Sequence, residues 1–500
     1  MLSDALGLAL FLGALAEALW HVYSVWPFTT DDAYITLRYS KNLAEGAGLT
    51  FNPGEPPVEG YSNFSFVLLG AASLWLHRDP VLVLKALDVL SLCATLLLVY
   101  LLGRRHLPAL LAAVPVWFLA MYKGTSWWTV SGLETTFAQL LFTIAVFNLD
   151  TLLANNNGAS SRLRLGILGI ALLGLALTRP EGSPLSVLVL VILACSWLGA
   201  SWRGLPQTRR FARELGWFAA LLLTGLALYH GFRFIHFHRL LPNTVRCKAA
   251  YDGDPLTLQR ELWQAFAPCL VLASVALLRK RSLRVVALVS PLLMEGVLFL
   301  GVDPIIGHFS RHFLPVMPGV LVAATIGLSE LGHFLVPWRY LGTAATALAA
   351  WLIAPASDLN ALRVDANAYA ARQRLRGELA RWIDLHLPDG AHVVLGDCGL
   401  IPYRSSRKFI DVYCLNSLQA AAALERHAPR EFSTYALATR PEAIIIHSES
   451  ALQLSPRSYR GVFPALVGDP RFASSYTLST KFIGDSVACY WVFLRKDLQL

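Results

Sequence analysis

The sequence predicts a polytopic α-helical membrane protein of about 11–13 transmembrane helices, carrying a soluble α/β domain at its C-terminus. Three observations predict it. First, the chain has 500 residues, of which 55% are hydrophobic and only 15% charged, with mean hydropathy +0.51; a soluble protein averages about 25% charged. Second, the apolar residues gather into a succession of runs near the length a bilayer requires. Third, the composition changes beyond Ser357, where charges, Asn, His and Pro return and no further run follows.

The runs lie near residues 5–26, 63–77, 82–102, 107–122, 134–153, 165–178, 183–200, 215–233, 262–278, 285–302, 313–329 and 335–355. Two of them, 63–77 and 165–178, are short for a full crossing. The first is not a plain signal peptide, because no basic segment precedes it and no small-residue cleavage site follows. Glu17 and His21 interrupt it. They are either functional polar residues within a span or residues at its outer interface. The formal charge is +9, but the basic residues fall in short clusters: Arg104-Arg105, Arg162 and Arg164, Arg203 to Arg213, and Arg279 to Arg284. That pattern fits cytoplasmic loops better than the single basic face of a nucleic-acid binder, so no nucleic-acid partner is expected. With those clusters inside, the segments 123–133, 178–183, 236–261 and 303–312 and everything after 355 fall outside. The first loop, 28–62, joins them only if one span before residue 134 is miscounted, giving an odd total and an inside N-terminus.

The C-terminal part reads as a helix over 363–386, with Leu375, Leu379, Ile383 and Leu387 on one face. Short buried strands follow at 392–396, 409–412, 443–446 and 490–494, with helical stretches near 416–427 and 431–438. Of the seven cysteines, Cys93, Cys195 and Cys269 lie in apolar runs and read as packing residues. Cys398 and Cys414 could pair in an oxidising compartment.

Chemistry points to residues 28–66, the first long polar stretch. It opens on Asp31-Asp32 and continues as an amphipathic helix with Ile35, Leu37 and Leu43 on its apolar side and Arg38 and Lys41 on its basic side. Such a helix can lie in the interface with its cations near lipid phosphates. The turn Asn52-Pro53-Gly54-Glu55 follows, then Glu59-Gly60-Tyr61-Ser62-Asn63 leads back to the membrane. Adjacent acids diverge on a helix, so one can take a proton while the other orients a partner or a cation. Four further clusters share the outer face: Trp127 to Glu134, Thr178 to Gly182, Pro242 to Lys248, and Asp303 with His308 to Pro315. Together they offer Arg38, Lys41, Arg179, Arg246, Lys248 and Arg311 for an anion. Asp31, Asp32, Glu59, Glu134, Glu181 and Asp303 are available for protons or hydroxyls.

The segment DDAYITLRYSKNLAEGAGLTFNPGEPPVEGYSNF resembles the first extracytoplasmic loop of GT-C class glycosyltransferases, multi-pass enzymes that use polyprenyl-phosphate sugars. It is most similar to the terminal arabinofuranosyltransferase branch. SGLE at 131–134, LTRPEG at 177–182, LPNTVRCK at 241–248, SRHFLP at 310–315, GDCGLIPY at 396–403 and FIDVYCLN at 409–416 resemble other segments of that branch. The resemblance implies a GT-C domain over 1–357 and an extracytoplasmic domain over 358–500. It implies an inverting transferase in the inner (plasma) membrane that moves a sugar, arabinofuranose among the candidates, to a hydroxyl of a cell-envelope glycan, glycolipid or protein. Asp31 matches the first acid of the family motif and is the expected base, with Asp32 orienting the sugar or serving as base in its place. Arg311, Lys248 and Arg179 are expected at the donor phosphate, with Arg38 or Lys41 at the interface. Tyr34, Glu59, Tyr61, Asn63, Glu134, Glu181, Asn243, His308 and His312 are expected to line sugar or acceptor. The sequence assigns no cofactor and leaves metal dependence open, with Asp31 and Asp32 the candidates to hold a divalent cation. The rival reading is a lipid-linked-sugar transporter or flippase. Polar residues at span ends rather than mid-span count against it.

Overall fold

The computed structural model describes residues 2–154, 161–205, 208–249, 253–303, 305, 307–335, 358–457, 461–485 and 488–498. The protein is a helical bundle capped at one end by a small mixed sheet. Each apolar run within the described residues becomes a helix: α1 (Leu2–Ser24), α3 (Phe64–Trp75), α4 (Pro80–Arg104), α5 (Ala109–Ala112), α6 (Val114–Met121), α8 (Thr135–Ala154), α9 (Ser161–Thr178), α10 (Gly182–Trp202), α11 (Thr208–Phe237), α13 (Thr257–Lys280), α14 (Leu283–Leu298) and α15 (Met317–Leu335). The run at 335–355 lies outside the described residues, apart from its first. Three short or polar helices interleave: α2 (Asp31–Ala44), α7 (Lys123–Thr129) and α12 (Asn243–Ala249). Among the described residues seven helices are long and apolar enough to cross a membrane, or eight if the segment bent by 61° between α6 and α7 counts as one. This is fewer than the 11–13 expected. The helices α9 and α14, of 18 and 16 residues, run between the same two faces without meeting that length and composition. The protein is multi-pass.

One face carries the basic clusters. Arg104 pairs with Asp4 at 2.9 Å, and Asp150 gathers Arg284 at 2.8 Å, His106 at 2.9 Å and Arg105 at 3.4 Å. The opposite face carries the first loop and the sheet. The run at 63–77 does not cross between them. Along α2 and α3 the contacts keep the same order: Thr36 with Asn63, Ser40 with the Val67 carbonyl, Trp75 with the Ala44 carbonyl. The two helices therefore lie side by side and parallel. Twelve residues rise only about 18 Å, against a hydrocarbon core of about 30 Å. Removing this one run from the span count before residue 134 puts 28–62 on the same face as 123–133.

The helix α2 is not an interfacial helix. Eight of its fourteen residues are buried, Arg38 among them. Arg38 donates from Nε to the Phe51 carbonyl at 2.6 Å and through its Nη atoms to Pro402, Ser405, Arg407 and Asn52, with its plane over Phe51 and Phe409. All its donor directions are spent on protein, so it is a strut and has none for a lipid phosphate. Lys41 is partly buried on the same helix and has no ion-pair partner among the described residues.

The cap begins with α16 (Leu359–His386), whose first turns join the bundle core through Leu362 and Ala366. The sheet is β1 (His392–Leu395), β2 (Lys408–Asp411), β3 (Ala443–His447), β4 (Tyr476–Ile483) and β5 (Cys489–Arg495), in the order β2-β1-β3-β5-β4. The strands β2, β1 and β3 pair in parallel, and β5 pairs antiparallel with both of its neighbours, β3 and β4. Helices α17 (Leu400–Arg404), α18 (Leu418–Glu425), α19 (Pro429–Ala438), α20 (Val462–Val467) and α21 (Pro470–Ser475) complete it. The sequence reading places no strand at β4, an edge strand with three exposed residues in succession after Tyr476; it lacks the buried apolar run that marks the other four. One hydrophobic cluster unites the two parts: Ile35, Tyr39, Phe51 and Tyr61 of the first loop pack with Val393, Phe409, Ile445 and Tyr490 of the sheet. The Asn52 amide bonds both the N–H and the carbonyl of Phe409, covering the outer edge of β2.

The cysteine pairing differs from expectation. Cys414 bonds Cys247 of α12, with Cα atoms 6.0 Å apart, while Cys398 is buried and free. Cys398 turns inward toward the Leu395 carbonyl, whereas α12 brings Cys247 up to the β2–α18 connection. The bridge closes a span of 167 residues. Replacing both cysteines by Ser is expected to cost about 2–4 kcal/mol. Thermal unfolding with and without reductant checks this: the wild type should fall toward the double variant in reductant, and the variant should not move.

Candidate active site

The approach to Asp31 is fixed by backbone bonds. Buried Lys85 of α4 donates to the carbonyls of Trp26 (2.9 Å) and Phe28 (2.7 Å), capping the chain as it leaves α1. The Thr30 N–H donates to the Ser131 carbonyl at 3.0 Å. Ser131 opens the tight turn at Gly132, whose φ of +78° suits glycine, and a Cβ there would press on Ala33 at 3.0 Å. The segment preceding the acids is thus held against the turn that carries Glu134.

Asp31 and Asp32 take different surroundings. The Asp31 carboxylate accepts from the N–H groups of Gly399 and Leu400, both at 3.1 Å, at the start of α17. Arg376 of α16 lies 3.6 Å away. A Cβ at position 399 would overlap the Asp31 main-chain and carboxylate oxygens, so only glycine fits. Arg376 also donates to Asp397 from Nε (3.0 Å) and Nη2 (2.8 Å), and Asp397 accepts from the Tyr490 hydroxyl and faces His447 at 3.8 Å. Burial pushes Asp31 up; Arg376 and the two N–H groups pull it back and Asp397 adds to the rise. Asp397 is held low: Arg376, then His447, outweigh its burial. The expected base is therefore a tied group, joining the bundle to the sheet. Asp32 is partly buried and accepts no hydrogen bond from a described residue. Burial first, then Asp31, push its carboxyl up to about 6, while Lys248 and Arg311 oppose the rise.

Facing Asp32 is a cationic cluster. Buried Glu134 accepts from Arg311 at 3.1 Å, Arg179 at 3.4 Å and Asn63 at 2.9 Å. Burial would raise Glu134, but Arg311 and Arg179 hold it below its ordinary value. Arg311 also donates to Thr135 at 3.2 Å and lies over the Trp128 ring, and Arg179 pairs with Glu181. The two guanidiniums are thus neutralised by the two glutamates. The remaining cation is Lys248, which burial and Arg311 push down to about 8 against the pull of Asp32. His312 sits 3.5 Å from Arg179 through Nδ1, while its buried Nε2 has no hydrogen-bond partner among the described residues. Burial and the surrounding cations hold it far below the ordinary histidine value, so it is neutral at pH 7.

The structure brings Asp32, Glu134, Arg179, Glu181, Lys248, Arg311 and His312 together. His308 borders them through its ring, 4.9 Å from Trp128. Tyr34 turns toward Tyr403, with ring centroids 5.6 Å apart. Four expected sugar or acceptor residues serve the fold instead. Glu59 is buried against Arg233, with two bonds of 3.0 Å. Asn243 donates to the carbonyls of Cys414 (2.8 Å) and Leu415 (3.0 Å). Tyr61 lies in the shared core, and Asn63 is spent between Thr36 and Glu134. Arg246 pairs with Glu425, and Asp303 accepts from Ile305 N. Among the described residues no group of three or more His, Cys, Asp or Glu is placed to hold a metal ion. Arg376, Tyr490 and His447 are missed by sequence reasoning; Asp397 lies inside the GDCGLIPY segment, and its paired glycines 396 and 399 are the one signal that could have marked it.

A family model described as a domain of unknown function (DUF8728) matches residues 365–494. No characterised protein matches by sequence. Solved structures are similar in fold. ArnT from Cupriavidus metallidurans bound to undecaprenyl phosphate is 13% identical, with TM-score 0.55, over 97% of this chain and 97% of that one. The Archaeoglobus fulgidus oligosaccharyltransferase AglB, in complex with an inhibitory peptide and a dolichol-phosphate, is 14% identical, with TM-score 0.56, over 98% of this chain and 75% of that one. The fold is GT-C-like, with a C-terminal region built on a small mixed sheet.

The two acids should respond oppositely to substitution. Asp31→Ala leaves the N–H groups of Gly399 and Leu400 without their acceptor and should cost about 1–3 kcal/mol. Asp32→Asn should stabilise. The folded protein keeps the Asp32 proton up to about pH 6 whereas the ordinary value is 3.8. The folded state therefore binds more protons in that window, and stability falls as pH rises through it. Melting temperatures measured from pH 4 to 7 should show Asp32→Asn gaining on wild type as pH rises, and Asp31→Ala below wild type throughout.

Proposed function

We propose that the protein is an inverting glycosyltransferase that moves a sugar from a polyprenyl-phosphate donor to an acceptor hydroxyl, with Asp32 as general base. The observation that carries the reading is the Asp32 carboxylate, which accepts no hydrogen bond from a described residue and faces Lys248 and Arg311 at the end of a membrane bundle. Asp32 takes the hydroxyl proton as the acceptor oxygen bonds to the anomeric carbon. The bond from that carbon to the phosphate oxygen breaks, and its electron pair leaves with polyprenyl phosphate from the opposite side, inverting the centre. Lys248 and Arg311 stabilise the charge gathering on the phosphate. Glu134 lowers the cost of holding Arg179 and Arg311 unoccupied before the donor binds. Neutral His312 has a free Nε2 to bond a sugar hydroxyl or phosphate oxygen.

The GT-C-like fold supports the class, and the two similar structures were solved with lipid phosphates. The first-loop resemblance makes arabinofuranose the first donor sugar to test, with a cell-envelope glycan, glycolipid or protein as acceptor. The basic clusters on the face opposite the site support a plasma-membrane topology with the site and C-terminal domain outside. The Cys247–Cys414 bridge fits an oxidising compartment on that side.

Purified protein supplied with radiolabelled polyprenyl-phosphate sugar and an acceptor tests the reading. The pH profile of kcat/KM should be bell-shaped. Its acid limb near 6 comes from Asp32 losing its proton, and its alkaline limb near 8 from Lys248 losing its charge. Asp32→Asn should lower kcat by about 10²–10⁴, and Lys248→Met should remove the alkaline limb. Undiminished transfer by Asp32→Asn would overturn the assignment. Movement of the lipid-linked sugar across a vesicle without a new glycosidic bond would favour a transporter.

A further inference from the structure

A groove of about 530 Å³ opens between α9 and α11, on the side of the bundle away from the candidate active site. Its lining runs from Arg162 to Leu173 on α9 and from Arg213 to Leu222 on α11. At 1.5 Å per residue these stretches descend about 16 Å and 14 Å, the depth of one leaflet of a hydrocarbon core about 30 Å thick. Both helices start at the basic face, so the groove begins at that interface and ends near mid-bilayer.

Its two ends differ in chemistry. The deep part is apolar. Gly166 leaves its floor open, since a Cβ there would meet nothing within 4 Å. Ile170, Trp217 and Leu221 are 69–74% exposed around it. The mouth is cationic. Arg162 and Arg210 share the buried Glu214 at 3.2 and 3.1 Å, yet their side chains remain 75% and 51% exposed. Arg209 and Arg213 are exposed and make no ion pair with a described residue. Four arginines against one glutamate leave the mouth strongly positive.

We propose that this groove binds one anionic glycerophospholipid of the leaflet opposite the active site, an acyl chain lying along Gly166 and its phosphate against Arg162 and Arg213. Apolar depth alone would accept any lipid. The uncompensated arginines at headgroup level select an anionic one, each worth about fivefold in affinity at such a surface. The site is independent of the proposed transfer reaction, and its ligand binds whether or not that reaction occurs.

The test is native mass spectrometry of the purified full-length protein titrated with phosphatidylglycerol or with phosphatidylcholine of the same chains. Retention of phosphatidylglycerol over phosphatidylcholine is expected. Gly166→Leu, whose Cβ enters open space at the floor, should abolish that retention, and Arg213→Ala, a change at an exposed side chain with no ion pair to a described residue, should lower it about fivefold. Unchanged elution and melting temperature without added lipid confirm that both variants fold; if Gly166→Leu does not, Arg213→Ala alone decides. Equal retention of the two lipids, or wild-type selectivity in the variants, overturns the proposal. So does displacement of phosphatidylglycerol by an equal amount of polyprenyl phosphate, which would assign the groove to the latter.

Discussion

Everything near the site depends on the carboxylate of Asp31. An acid at the first position of a helix ordinarily favours its own exposed N–H groups. Here it accepts instead from the first N–H groups of α17, a helix nearly 370 residues later in the chain. Arg376 stands on its other side and carries the connection to Asp397 and Tyr490 under the sheet. One charged group thus ties the membrane bundle to the cap, and the hydrophobic cluster of first loop and sheet closes around it. Asp32 follows about 100° further around the helix. Once Asp31 is committed to the cap, Asp32 is turned toward the membrane-side cations.

The charges of that second group are nearly balanced. Unpaired buried ions cost several kcal/mol each, and Glu134 and Glu181 meet this cost for Arg179 and Arg311. What remains is the Lys248 ammonium and two carboxyl groups, Asp32 and the buried Glu295 behind Arg179, none of these side chains hydrogen-bonded to a described residue. Lys248 owes its place to α12, a helix of only seven residues that would be marginal by itself. The disulfide at Cys247, the Asn243 amide and the Arg246–Glu425 pair all fasten it to the cap. The cap therefore positions both partners, the acid through Asp31 and the cation through α12, although it supplies neither.

The bundle was legible because membrane helices must satisfy their backbone internally and therefore announce themselves as apolar runs. The short buried strands were legible for a related reason: Val393, Phe409 and Ile444 sit in apolar segments too short for helices. The two-acid opening, the SGLE turn and the basic residues of LTRPEG, LPNTVRCK and SRHFLP were legible as polar breaks on a common face. The strand Tyr476–Ile483 was not, because an edge strand needs no continuous apolar run. The fate of Arg38 was hidden as well. Amphipathic spacing marks a basic helix side, and nothing local distinguishes a cation facing phosphate from one facing five protein oxygens.

The sequence by itself determined the apolar helical bundle, the small C-terminal sheet and the residue types gathered at one face. These follow from local hydrophobicity and periodicity. Only the tertiary structure decided that α3 runs beside α2 without crossing, that Cys414 bonds Cys247, and that Asp31 anchors while Asp32 remains open. Each of those choices rests on a partner far along the chain, and an interaction between distant residues leaves no trace in the spacing of near ones.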